Sequence, residues 1–394
     1  MVIMVLAHLW VAIIAGGKGT RLFPISHPGR PKQFCKVDKR NTFIQAVVEN
    51  FVNFGVKPTN IVVITTDDGQ TKLAREQLLS RKVLSQNIYQ IDPQYGYAGA
   101  MIKAAKFIHE LDPEAVIINT PADQYLVADD EFKGALRSAI KEADAGYATI
   151  VGVKINDIVT AMGCGHVIYA EDGKSCPTKI SFIEKPDYDT ANHIMRQGNS
   201  ACNTGINVWK AENIIQAFRG RNIKGLATDA MMEKLGVIKV AVGNFEWHDC
   251  GTLKSFYEIS AKTPDHENAS VGGGSFERTD CRRSLLYAEQ GMELRVSGAR
   301  DDAVVFTMID DKPVIVVAKM EDSQVIKFLA DDYIAHQAIL ADDFSMGARN
   351  NIVLRSNVSD ELVVGFVGVR NYAVYVHRES DSGSLVAVVS QQLR

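Results

Sequence analysis

The densest set of chemistry-bearing residues lies in one short segment, Ala15 to Phe34, read AGGKGTRLFPISHPGRPKQF. Gly16, Gly17 and Gly19 directly follow the apolar run LWVAII at 9–14. Glycines after a strand let backbone N–H groups approach a phosphate or ribose with no Cβ in the way. The spacing excludes two familiar loops. Lys18 precedes Gly19-Thr20, so there is no GxxxxGK[ST], and Leu22 stands where GxGxxG needs its third glycine. Thr20, Arg21, Lys32 and Gln33 follow closely, with Pro24, Pro28 and Pro31 stiffening the chain between them. Arg21 offers a bidentate donor fork and Lys32 a compact positive charge. That pairing suits a polyphosphate, and a pyrophosphate leaving group needs such neutralisation.

Five further places carry candidate groups. Asp123 sits in TPADQYL (120–126), after the apolar AVIIN. A carboxylate at the carboxyl end of a strand suits an oxygen-seeking Mg²⁺, although a lone Asp there also reads as a turn or N-cap. Asp249 lies in WHDCGTLKSFYEIS (247–260), and Glu184-Lys185 in FIEKPD (182–187), where a plain surface ion pair is the alternative. Asn203 in ACNTGINVWK (201–210) can bind a ligand or close its own turn with Gly205. Gly163 opens GCGHV, upstream of these.

Taken together, GGKGTRLFPISHPGRPKQF resembles the signature of the sugar-nucleotide pyrophosphorylases, and its PKQF ending resembles the mannose-1-phosphate guanylyltransferase (GDP-mannose pyrophosphorylase) branch. The resemblance covers about residues 9–262. It implies transfer of GMP from GTP to mannose 1-phosphate by in-line displacement, with release of pyrophosphate. It assigns the nucleotide to Ala15, Gly16, Gly17, Gly19, Thr20, Arg21, Lys32 and Asp123, and catalytic roles to Arg21, Lys32 and Lys185. It assigns the sugar side to Gly163, Glu184, Lys185 and Asn203, and Mg²⁺ to Asp123 and Asp249. His166 and His248 are read as structural, because an already anionic sugar phosphate needs no general base.

The sequence departs from the family pattern at three places. Gln124 replaces the histidine of PADH, Cys164 replaces the tyrosine of TGYGYI, and Gly96-Tyr97 stand where the family has Arg-Asn-Thr. Tyr95 and Tyr97 offer rings that could stack on a base instead. The same chemistry on another sugar 1-phosphate (a heptose, glucose) or with another NTP therefore stays open. A non-catalytic paralogue that binds sugar nucleotide is the reading from a different class. It should have lost Arg21, Lys32, Asp123 or Asp249, and all four are present.

The elements that must position these groups are legible from periodicity. Strand-like runs at 9–14, 61–65, 115–120 and 147–153 alternate with helix-like segments at 42–54, 69–84, 98–111 and 131–143. That alternation predicts an α/β fold, a Rossmann-like mixed and mostly parallel sheet, with ligands at the carboxyl ends of the strands. Short β-like runs dominate after about residue 265. The expected division is a catalytic domain over 1–264 and a β-rich domain over 265–394, joined by a polar, glycine-rich linker at 265–275. Similar runs recur at spacings of 68 to 71 residues (Ala303 with Ala373, Val314 with Leu385), which suggests two repeats over about 283–320 and 351–391. One irregular β-domain without duplication is the alternative. A helical connector is expected over 331–344. No sustained [LIV]-G-x-x-x-x repeat follows residue 265, against an acyltransferase-type β-helix; self-association or packing is the expected role of this region.

With 394 residues, 46% hydrophobic, 23% charged and a net charge of −4, the chain has no overall basic field for nucleic acid or an anionic membrane. The apolar N-terminus lacks a basic flank and is too short for a membrane span, so a buried first strand with a ragged extension over 1–8 is expected. The six scattered cysteines form no CxxC pair and are expected as reduced thiols of a cytoplasmic protein. The expected partners are the NTP and sugar phosphate, with a homodimer as the expected assembly.

Overall fold

The computed structural model describes residues 7–322 except Lys18 and Lys39, isolated positions over 324–331, and four strands between 353 and 391. It divides into two compact units, one of Met1–Gly16 with Ile44–Asp249 and one of Gly17–Phe43 with Cys250–Arg394.

The first unit is built on a mixed sheet. In chain order its strands are β1 (Leu9–Ile14), β2 (Ile61–Thr65), β3 (Ile88–Gln90), β4 (Val116–Pro121), β5 (Tyr125–Leu126), β6 (Ala148–Val153), β7 (His166–Tyr169), β8 (Lys179–Ile183), β9 (Ser200–Lys210), β10 (Ile238–Gly243) and β11 (Trp247–His248). The main sheet runs β10-β6-β9-β4-β1-β2-β3, and β5 and β11 form a separate two-stranded ladder. β1 is parallel to both β2 and β4, while β9 runs antiparallel between β4 and β6. All six residues of β1 are buried, as an unbroken apolar run between two neighbours requires when both faces are covered. Helix Gly96–Leu111 lays Ala98, Met101, Ile102, Ala105 and Ile108 against Trp10, Ala12 and Ile14. Helices Asp68–Leu78 and Asp130–Asp144 start on Asp67 and Asp129, whose carboxylates accept from the N–H groups of Gln70 and Phe132. The alternating strands and helices of the sequence are all found. β7 and β8 escape period-based reading because they carry mixed, partly exposed faces, and β9, though mostly buried, because Asn203, Thr204, Gly205 and Asn207 interrupt its apolar run.

The second unit contains β12 (Ala269–Val271), β13 (Ser275–Thr279), β14 (Leu285–Ala288), β15 (Met292–Ser297), β16 (Asp302–Ile309), β17 (Lys312–Lys319), β18 (Val353–Ser356), β19 (Val363–Val367), β20 (Tyr372–Arg378) and β21 (Leu385–Gln391). They form two five-stranded sheets, β12-β14-β16-β17-β19 and β13-β15-β21-β20-β18. The pairing is reciprocal. Hairpin β16–β17 matches hairpin β20–β21, and β14 lies parallel to β16 as β18 does to β20. Each half lends one strand to the other: β15 pairs with β21 through Met292 and Leu385, and β19 pairs with β17 through Val363 and Val314. Inward-facing Leu294, Val304, Phe306, Ile315, Val317, Val374, Val376, Ala387 and Val389 form one core from both halves.

Two expectations change. First, the contacts do not follow the 264/265 boundary, because the signature segment Gly17–Phe43 groups with the β-rich region. The Arg30 guanidinium donates to Glu289 at 2.6 Å and to Thr307 at 3.2 Å, and the Phe43 ring lies 6.1 Å from Phe256. Second, 265–275 is not a free linker. It contains β12, and the buried Asn268 donates to the Cys281 carbonyl at 2.8 Å and accepts from the Ser284 N–H at 3.1 Å. A Cβ on Gly272 would stand 2.3 Å from the Ala288 carbonyl oxygen, so its glycines permit close backbone approach rather than slack. The connector expected over 331–344 lies, beyond Asp331, outside the described residues.

Candidate active site

In the first unit the chain leaves β1 as a turn at the carboxyl end of the strand. The Ala15 N–H donates to the Ile64 carbonyl at 2.7 Å, and the Ala122 N–H to the Ile14 carbonyl at 3.1 Å. The ends of β1, β2 and β4 are thereby tied together. Ala15 is buried, and a Cβ on Gly16 would meet the Thr66 methyl at 2.7 Å. Gly16 is thus fixed by close packing on the second strand's loop.

Gly17 begins the other unit, and a Cβ there would meet nothing within 4 Å. Gly19 is different. Its φ of +67 is a left-handed conformation that glycine adopts freely, and a Cβ would sit 2.5 Å from that of Lys32. The Ser26 hydroxyl donates to its carbonyl. Thr20 and Arg21 lie in a short 3₁₀ turn, Thr20–Leu22, and Arg21 makes no hydrogen bond or ion pair among the described residues. Lys32 opens a second such turn, Lys32–Phe34, and is only 3% exposed, with its ammonium 5.6 Å from the centre of the Phe43 ring. Arg21 is available to an anion as it stands, whereas Lys32 is covered. The neighbouring Cys35 thiol is buried, which pushes its pKa up to about 11 despite Arg30 nearby, so it is no nucleophile.

The two carboxylates proposed as metal ligands both belong to the first unit. β11 pairs antiparallel with β5 through Trp247–Leu126 and His248–Tyr125. Asp249 directly follows β11, and Asp123 lies two residues before β5, so the ladder pairs the strands that flank the two carboxylates. This ladder brings together two segments that lie far apart in sequence. Asp123 is part-buried and Asp249 exposed. Gln124 is buried and locked by two hydrogen bonds. Its amide donates to the Thr120 hydroxyl at 2.8 Å, and its oxygen accepts from the Trp247 indole at 2.7 Å. The residue that departs from the family's histidine is therefore a buried strut holding β5 and β11, not a group on the reacting side. His248 packs on Tyr125 with ring centres 6.2 Å apart.

The sugar-side residues gather around β7, β8 and β9. Glu184 and Lys185 follow β8, are exposed, and lie 3.9 Å apart. Lys185 has φ +40, a left-handed conformation unusual for a non-glycine residue and of the kind that collects at functional positions. The Asn203 side-chain oxygen accepts from the Gly205 N–H at 2.9 Å, so Asn203 does close a turn, leaving its NH₂ as the group a ligand could meet. Its own N–H donates to the Gly165 carbonyl at 2.8 Å. Gly163 ends helix Ile158–Gly163 with open space where a Cβ would be. The glycine that packing demands is Gly165, where a Cβ would come within 2.4 Å of the Phe182 ring and 2.6 Å of a Glu184 carboxylate oxygen.

The divergent 92–101 loop is settled against its own unit. The Tyr95 ring lies under the Lys103 and Lys224 ammonium groups at 4.6 and 5.4 Å. The Tyr97 hydroxyl donates to the Gly205 carbonyl at 3.3 Å, and burial, with the Asp123 charge second, raises its pKa. Both aromatics are engaged by the protein itself.

The sequence missed one feature altogether. Cys164 and Cys202 are joined as a disulfide, against the expectation of six reduced thiols. Thirty-eight residues separate them, so no local spacing pattern could reveal the pair, whereas the ladder β7–β9 sets His166 opposite Cys202. Cys35, Cys176, Cys250 and Cys281 are buried and form no disulfide. His166 hydrogen-bonds the Ala161 carbonyl at 2.8 Å inside the unit. No helix among the described residues is long and apolar enough to cross a membrane.

Comparison with known proteins gives the family and the fold. A family model described as nucleotidyl transferase matches residues 11–266. A mannose-1-phosphate guanylyltransferase of Escherichia coli K12 is 25% identical over 82% of this chain and 73% of its own length. One of Salmonella typhimurium is 26% identical over 82% and 73%, and one of Sinorhizobium fredii 25% identical over 76% and 65%. Among solved structures, one described as a mannose-1-phosphate geranyltransferase of Thermus thermophilus superimposes with a TM-score of 0.69 at 20% identity, over 83% of this chain and 99% of that one. That likeness concerns the fold. With the family model spanning well over half of the sequence, the chain belongs to the nucleotidyl transferase family and is a nucleotidyltransferase enzyme.

Proposed function

We propose that this enzyme transfers GMP from GTP to mannose 1-phosphate, releasing pyrophosphate and forming GDP-mannose. The observation that supports the reading is the β5–β11 ladder, which pairs the strand before Asp249 with the strand after Asp123, close in sequence to the carboxyl end of β4, whose Ala122 is tied to the end of β1. Two carboxylates in that position, with Gln124 committed elsewhere, fit a hard, oxygen-seeking cation. When bound there, Mg²⁺ would supply charge neutralisation for two phosphate groups that otherwise repel one another.

The chain's own residues then do the following. The backbone around Ala15 and Gly16 receives the nucleotide where no side chain intrudes. Arg21, which has no partner of its own among the described residues, takes phosphate oxygens through its donor fork. Lys32 serves the same leaving group and must come out of its cover over Phe43 to do so. Lys185, held in a strained backbone, orients the sugar phosphate, and Glu184 with the Asn203 NH₂ hold sugar hydroxyls. A sugar-phosphate oxygen attacks the α-phosphorus in line. The attacking group is already anionic, so the rate comes from positioning and charge stabilisation rather than proton transfer.

Asp249→Ala should abolish pyrophosphate release while leaving the melting temperature near that of the parent. Near-normal release would reject the assignment. A second reading, another base or sugar, is favoured by one observation: Gly96-Tyr97 replace the relatives' loop, and its tyrosines are engaged internally. A grid of NTPs against sugar 1-phosphates, scored by pyrophosphate release, separates the two. Tight binding of GDP-mannose with no turnover on any pair would instead indicate a non-catalytic binder.

A further inference from the structure

Cys164, His166 and Cys202 form a cluster with no part in the proposed reaction. Their candidate ligand atoms all lie within 4.8 Å of one another, and all three side chains are buried. The backbone explains the convergence. Cys164 is extended, with φ −116 and ψ 161, and two residues on His166 opens β7. Extended residues at i and i+2 project from one face, and Cys202 stands directly opposite His166 on β9. The His166 Nε2 donates to the Ala161 carbonyl at 2.8 Å and lies 3.5 Å from the Cys164 sulfur. With the proton on Nε2, Nδ1 is a bare lone pair, buried and without a donor. A disulfide leaves that nitrogen unsatisfied, which a buried polar atom seldom is.

We propose that, in the reduced protein, Cys164, His166 and Cys202 bind one soft divalent cation of the Zn²⁺ class, and that the Cys164–Cys202 disulfide is the oxidised, metal-free form of this site. Two thiolates and an imidazole are the donor set that a tetrahedral d¹⁰ cation selects over Mg²⁺. The described residues offer three ligands, which leaves the fourth position to water. The chemistry balances. A phosphine reductant and one water convert the disulfide to two thiols and the phosphine oxide. Cation binding then releases the two thiol protons.

The site's existence does not rest on the proposed reaction; its consequence does. The cluster joins the segment following Gly163 to the strand that continues into Asn203, two of the sugar-side residues. Its oxidation and metal state would therefore set the sugar side and leave the Gly16 turn untouched.

The test uses the full-length protein, treated with a phosphine and a chelator under argon, desalted, and titrated with Co²⁺. The expected result is a thiolate-to-cobalt charge-transfer band with tetrahedral d–d bands, saturating at one equivalent. Zn²⁺ should displace it and Mg²⁺ should not. The band should be absent from the unreduced protein, lost in Cys202→Ser and Cys164→Ser, and kept in Cys35→Ser. In parallel, Zn²⁺ should protect Cys164 and Cys202 of the parent protein from alkylation, read by peptide mass spectrometry, which covers the case of a variant that fails to fold. No band in the reduced protein, a band that survives Cys202→Ser, or a disulfide that the phosphine opens only after denaturation would each overturn the proposal. None of these outcomes depends on nucleotidyl transfer, so failure of the proposed reaction would remain distinguishable.

Discussion

Replacing Glu289 with alanine should destabilise the unit that carries the signature segment, by an amount the local geometry sets. The Arg30 guanidinium donates to Glu289 at 2.6 Å, to the Ile25 carbonyl at 3.1 Å and to the Thr307 hydroxyl at 3.2 Å. The Thr307 hydroxyl in turn donates to the same Glu289 oxygen. The two charged side chains are 25% and 22% exposed, far from a free surface pair but not fully sealed. An exposed pair contributes about 0–1 kcal/mol. Breaking a fully buried one costs about 3–5 kcal/mol, because the remaining charge has no partner. Arg30 keeps two neutral acceptors and some solvent, which places the cost near 2 kcal/mol, in the range of a charge-assisted hydrogen bond at about 1.5–3 kcal/mol. For a unit of this size that corresponds to a melting temperature lower by about 4–8 °C. Glu289→Gln keeps an acceptor oxygen and loses the charge, so it should fall between the parent and Glu289→Ala. Differential scanning calorimetry of the three proteins at neutral pH measures the order. Arg30 stands two residues before Lys32, so KM for the nucleotide should also rise in the alanine variant more than kcat falls. A Glu289→Ala protein that melts with the parent would refute the reasoning, showing that Arg30 is held by its neutral partners alone.

Three further outcomes follow from particular side chains. Burial first, and the Arg30 charge second, lower the pKa of His27 to about 4. Its folded value thus lies below the unfolded 6.5, so the unfolded chain takes up the proton first as pH falls. The stability that neutral His27 contributes is complete above about pH 6.5 and is lost between there and about pH 4; urea midpoints of the parent should drop across that window more than those of His27→Asn. Gly19→Ala places a Cβ against Lys32 in a left-handed conformation, at a cost of about 2 kcal/mol or more, and should lower both the melting temperature and activity. Gln124→Ala strands the buried Trp247 indole N–H, costing about 1–3 kcal/mol and releasing the β5–β11 ladder, so kcat should fall although neither carboxylate has changed. If kcat is unaltered in that variant, the ladder does not position Asp249.

Much of the candidate site was legible because its signals are local. Gly16 to Gln33 suggest a phosphate-binding turn through residue type and close spacing, and continuous apolar runs such as LWVAII declare buried parallel strands by themselves. The family resemblance adds Asp123, Lys185 and Asp249 through short motifs that keep their order along the chain. β7 and β8 were not read because strands with mixed faces carry neither clean alternation nor an unbroken apolar run, and β9 because Asn203, Thr204, Gly205 and Asn207 break its apolar sequence.

Other properties depend on pairing between distant segments. The 125 residues between Asp123 and Asp249 hold no information about the pairing of their flanking strands; the register Trp247–Leu126 and His248–Tyr125 creates it. Gln124 looked like a defect in a motif and is a strut, because its partner Trp247 arrives from the other strand of that ladder. The signature segment groups with the β-rich region through Arg30 and Glu289, which no reading along the chain would join. Cys164, His166 and Cys202 converge only once β7 pairs with β9. The sequence by itself determined which groups suited to a phosphate this protein carries close together, since residue type and near spacing suffice for that. Only the tertiary structure decided which of them are held, covered or brought together, because hydrogen-bonded register and close packing act between residues whose separation along the chain is arbitrary.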